Sequence, residues 1–82
     1  MAAIPRELIR LERSSEVERA RLAGLKGEEF EAQRQTWRTA DEAFHAAVTE
    51  YAARKDVTMS REAVEREVRN AARRADEDPA VE

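Results

Sequence analysis

The sequence predicts an all-α, three-helix protein. A long antiparallel helical hairpin carries a shorter third helix, and two copies are expected to dimerise into a helical bundle. Three observations predict this. Ala, Glu, Lys, Leu and Arg supply 49 of 82 residues, the composition of long helices and coiled coils. The four aromatic residues, Phe30, Trp37, Phe44 and Tyr51, are spaced by seven without exception. Short breaks at Gly24–Gly27 and Asp56–Met59 divide the chain where helices would join.

The first helix is expected over about 5–23. Pro5 suits the first helical position, where its missing N–H costs nothing. Gly24 supplies the stop. Ile4, Leu8, Leu11, Leu22 and Leu25 form an apolar stripe with a polar gap at Ser15 and Glu18. Those two residues also match the Ser-x-x-Glu capping box, so a break near Ser14–Ser15 is the alternative to one continuous helix. The gap is also a place where a partner or second subunit would insert polar groups.

The second helix is expected over about 28–55. Glu28, Glu29 and Glu31 crowd its first turn and Arg54 and Lys55 its last, both favourable to the helix dipole. The connector Gly24-Leu-Lys-Gly27 is short enough to favour an antiparallel neighbour. With aromatics at heptad position a and Gln33, Ala40 and Ala47 at d, the helix presents large side chains to small ones. The third helix is expected over about 60–75, opened by Ser60 as N-cap. Val57, Val64, Val68, Ala71 and Ala75 give it a weak stripe of small residues. Residues 1–75 then form one domain, and 76–82 an acidic disordered tail.

Charge excludes several functions. Fifteen basic and 18 acidic residues nearly cancel, and the tail Asp76–Glu82 alone carries −4 of the net −3. The body is therefore near neutral, unlike an electrostatically driven nucleic-acid binder. No cysteine is present, which excludes disulfides and zinc–thiolate sites. No apolar run reaches the length of a membrane span, and MAAIPRELIRLER lacks the apolar stretch of a signal peptide. A complete cytoplasmic chain without membrane contact is expected.

No catalytic or metal residue is expected, and no cofactor. His45, the only histidine, follows Glu42 by three. Two such Glu-x-x-His motifs hold di-iron centres in bundles. Here, with Phe44 facing the core, both residues fall on the flank or in solvent, by roughly 100° per residue. A single exposed histidine is also a poor general base.

The function expected is a non-catalytic protein–protein interaction or accessory module. It self-associates as a homodimer through the aromatic heptad stripe, and an unidentified protein partner is compatible with it. The self-association and core residues are Phe30, Trp37, Ala40, Phe44, Ala47, Tyr51, Leu8, Leu11 and Leu22. The alternative is a small DNA-binding regulator. The segment 52–72 resembles a helix-turn-helix, in which Arg61, Glu62, Glu65, Arg66 and Arg69 would face the groove; Arg66, Arg69 and Arg73 form an outer basic stripe on the third helix, and Arg6, Arg10 and Arg13 one on the first. Its turn, KDVTM, is long and lacks glycine, and Glu62 and Glu65 oppose phosphate binding.

Overall fold

The computed structural model describes residues 4–77. The fold is all-α, with no strand among the described residues. Three helices follow one another: α1 (Arg6–Ala20), α2 (Gly27–Ala52) and α3 (Arg61–Glu77).

Pro5 is the N-cap of α1, in extended conformation, and its carbonyl accepts from the N–H of Leu8 at 3.1 Å. The helix is continuous through Ser14 and Ser15. It ends three residues before the expected position. Leu22 N–H bonds to Arg19 O and Ala23 N–H to Ala20 O, so the chain tightens to i−3 bonding ahead of Gly24. Gly24 itself has φ 81°, the left-handed conformation that glycine adopts without strain.

α2 runs about 39 Å at 1.5 Å per residue. Glu28 and Glu29 occupy its first turn. It also stops three residues early. Arg54 N–H turns to Tyr51 O, and the Arg54 side chain pairs with Asp56 at 3.2 Å and lies over the Tyr51 ring. Arg54 and Lys55 therefore belong to the connector. Ser60 opens α3: its Oγ accepts from the Ala63 N–H at 3.1 Å, satisfying one of the free donors of the first turn. The helix extends to Glu77, so the first two residues of the expected tail are helical. Residues 78–82 of that tail lie outside the described residues.

The core is small. Leu8, Phe44, Val48, Val64 and Val68 are buried together. Ala72 continues the Val64–Val68 row at i+4 spacing and is buried too. Ile4, Leu11, Ala47, Tyr51, Val57 and Met59 are half-buried against this cluster. Short side chains on α3 bring it close over Phe44, which is 1% exposed. Each such burial contributes about 1.5–3 kcal/mol. Leu22, Phe30, Trp37 and Ala40 are half-buried but stand outside this cluster.

Contacts between α1 and α2 run in opposite directions along the two helices. Ser15 bonds to Asp41, whereas Glu18, further along α1, bonds to Gln33, further back along α2. The polar gap of α1 is thus filled from within the chain.

Candidate functional site

A chain of polar contacts joins all three helices. The Ser15 hydroxyl on α1 donates to Asp41 Oδ1 on α2 at 3.2 Å. Asp41 Oδ2 lies 3.3 Å from His45 Nε2, one helical turn on. His45 Nδ1 faces α3, 3.9 Å from Glu65 Oε1 and 3.5 Å from Arg61 Nη2. Arg69 Nη2 closes the chain on Glu65 at 3.0 Å, and its guanidinium lies 6.0 Å from the centroid of the Phe44 ring. His45 is one-third exposed rather than a free surface residue. α3 crosses the flank that the heptad of α2 alone leaves in water.

Two polar residues are buried in the interior, Ser15 of this polar chain and Glu12. Ser15 is 3% exposed and Glu12 is 8% exposed, and no buried side-chain polar atom among the described residues lacks a hydrogen bond. Gln33 donates to the Glu18 backbone carbonyl at 2.7 Å and to its carboxylate at 2.9 Å. Satisfied polar groups of this kind avoid the desolvation cost of about 1–3 kcal/mol for an unpaired one.

The Ser15–Asp41–His45 order bears on catalysis. An activated serine needs its hydroxyl against the imidazole, with the carboxylate behind. Here the carboxylate stands between the two, and Ser15 is buried. The arrangement orients His45 and ties α1 to α2, and it does not set the Ser15 hydroxyl against the imidazole. Nor does the Glu-x-x-His motif assemble, because Glu42 is exposed while His45 turns toward Asp41 and Glu65. No cluster of three metal-ligating side chains exists among the described residues.

Beside this polar chain lies an open groove of about 910 Å³ between the three helices. Trp37, Asp41 and His45 of α2 form its floor. Glu12, Arg13, Glu16, Val17, Arg19 and Ala20 of α1 form one wall. Glu65, Arg69, Ala72 and Arg73 of α3 form the other. Val17 is 50% exposed and is the one large apolar side chain that the described residues leave so open. Charge is layered with depth. Glu12 is buried and Asp41 and Glu65 are half-buried, whereas Arg13, Arg19, Arg69 and Arg73 are exposed at the mouth. Glu16 is the exposed acid there, and it pairs with Arg19 at 2.9 Å, which raises the Arg19 pKa.

The structure separates the stripe residues. Phe44 and Leu8 are buried in the core, and Leu11, Ala47 and Tyr51 pack around it. Ala40, Leu22 and Phe30 are half-buried elsewhere, and Trp37 faces the groove. The arginines are likewise divided. Arg6, Arg10 and Arg13 are exposed along α1, with Arg10 donating to Glu7. On α3, Arg61 bonds to Thr49 at 2.9 Å and Arg69 turns to Glu65 and Phe44. Arg66 and Arg73 are exposed. Residues 53–60 separate α2 from α3, longer than the three- or four-residue turn of a helix-turn-helix.

Hydrophobic periodicity does not find Glu12, Asp41 or Glu65, since it scores residue type and not partner. Val17 carries the one readable signal: an aliphatic residue off the stripe, among charged neighbours. Among the described residues no helix is long and apolar enough to cross a membrane. No protein-family model matches the chain, and neither a curated protein nor a solved structure is found similar to it.

Proposed function

We propose that the protein is a non-catalytic helical interaction module that self-associates. In this reading α1 and α2 form a long antiparallel hairpin, α3 lies across it, and two protomers pair into a helical bundle. One observation carries it: the heptad aromatics divide. Phe44 and Tyr51 serve the protomer's own core, while Phe30 and Trp37 stay half-buried outside it. Phe30 sits in the first turn of α2, next to a connector that holds the half-buried Leu22 and Leu25. An apolar end of this kind is completed economically by the same end of a second copy, because a two-fold contact uses one patch twice. Asp41, standing between Ser15 and His45, supports the non-catalytic half of the reading.

Light scattering across a concentration series tests it. The expected mass is near twice 9.4 kDa. Phe30→Ser is expected to return the protein to a monomer with its helical content intact. A monomer at every concentration would overturn self-association.

A further inference from the structure

We infer that a second copy of the chain docks along the first three turns of α2, with the two α2 segments antiparallel about a two-fold axis opposite Gln33 and each Phe30 against the partner's Trp37. The inference rests on the self-association reading and adds to it a direction and a set of contacts. One observation is where α2 is open. The side-chain bonds from α3 to α2 fall on His45 and Thr49. Residues 27–38 bond across to α1, through Gln33 to Glu18. Phe30 and Trp37 are seven residues apart, so they lie within about 20° of each other around the helix and about 10 Å apart along it. Both rings are half-buried and outside the core cluster. The same segment running the other way covers both at once, since each Phe30 then meets the other copy's Trp37.

Charge selects the direction. Glu28, Glu29 and Glu31 come first, Arg34 and Arg38 follow, and all five are exposed. The segment therefore has an acidic half and a basic half. Parallel copies would set acid against acid and base against base. In antiparallel copies, positions equally far before and after Gln33 meet. Glu28 then meets Arg38, and within one residue of that symmetry Phe30 meets Trp37 and Glu31 meets Arg34. Like charges brought together penalise a wrong orientation more than opposite charges strengthen the right one. Within the protomer Glu31 and Arg34 touch at 3.4 Å, an exposed pair that contributes little, and Glu28, Glu29 and Arg38 form no ion pair among the described residues. A foreign helix would need the reversed charge order beside apolar groups at the same spacing. This chain carries both in one segment.

Light scattering on charge-reversed proteins tests the inference. The variants are Glu28→Arg/Glu31→Arg, Arg34→Glu/Arg38→Glu, and all four changes together. Each pair is expected to weaken the dimer about tenfold, and the four together to restore it, because opposite charges face one another again. Emission from the chain's one tryptophan, Trp37, is expected to shift with concentration in the native and fourfold-reversed proteins and not in the paired variants. All four positions are exposed, and melting curves at a concentration that holds protomers apart are the control for folding. If a paired variant melts early, Glu28→Arg and Arg38→Glu, alone and combined, give the same comparison at residues without an ion-pair partner in the protomer. A dimer indifferent to the reversals, or not restored by the full exchange, would overturn the inference and leave self-association standing on another face. A native protein that stays monomeric would overturn both.

Discussion

Phe30 and Phe44 are the same side chain at the same heptad position of one helix, two heptads apart, yet their truncation should differ severalfold in cost. Phe44 is 1% exposed and packs with Leu8, Val48, Val64 and Val68 from all three helices. Phe44→Ala loses the transfer energy of the ring and leaves a cavity that three helices cannot all collapse into, a loss of about 3–5 kcal/mol. Phe30 is half-buried at the start of α2, outside that cluster, and in an isolated protomer water fills the space its ring leaves. Transfer alone, about 1–2 kcal/mol, is the expected loss there. In a domain this size each kcal/mol moves the melting midpoint by about 4–8 °C. Total stability is about 4–12 kcal/mol at 0.05–0.15 kcal/mol per residue. Phe44→Ala should therefore be barely folded, and Phe44→Leu is the measurable substitute. The assay is thermal melting by circular dichroism at a concentration low enough to hold both variants monomeric. Equal displacement by Phe30→Leu and Phe44→Leu would refute the division of the stripe, because Phe30 would then be core.

Two other outcomes are expected. Ser15→Ala removes the donor to Asp41 inside a 3%-exposed site and should destabilise by about 1–2 kcal/mol in urea unfolding, while Ser14→Ala, on the exposed neighbour, should cost a few tenths. The Glu7 carboxylate accepts from the Arg10 guanidinium, which holds its pKa below the ordinary glutamate range. Its contribution is present above the unfolded-state pKa and fades as pH falls through the lower folded value. Carboxyl titration by NMR should show that midpoint return upward in Arg10→Ala.

The legible part of the fold lies where one residue type decides. The aromatic heptad picked out Phe44, and Ser60 marked the start of α3 as a residue whose hydroxyl needs no distant partner. The illegible part lies where a residue's meaning depends on one far away in sequence. Ser15 and Glu18 read as a gap in an apolar stripe because Asp41 and Gln33, which fill it, are 26 and 15 residues away. His45 read as a flank residue because only α3 encloses that side. Val48 falls outside heptad positions a and d, yet it is fully buried, since α2 meets two helices and not one coiled-coil mate. The helices end sooner than the sequence suggests for a local reason: both α1 and α2 close with i−3 bonds that neither Gly24 nor Arg54 announces.

The polar chain from Ser15 to Glu65 also answers a problem of alanine-rich helices. Sixteen alanines give smooth surfaces that pack nearly as well after sliding by one turn. Dispersion and burial discriminate poorly among such neighbours. A hydroxyl seated on one carboxylate does discriminate, since a slide of one turn would strand Ser15 inside the protein and leave Asp41 without its donor. Gln33 on Glu18 is a second pin about 12 Å away along α2, and the imidazole between Asp41 and Glu65 fastens the third helix to the same point. These contacts add little to the depth of the native energy well. Their effect is to raise its competitors, so that a chain with few large apolar residues still settles into a single arrangement.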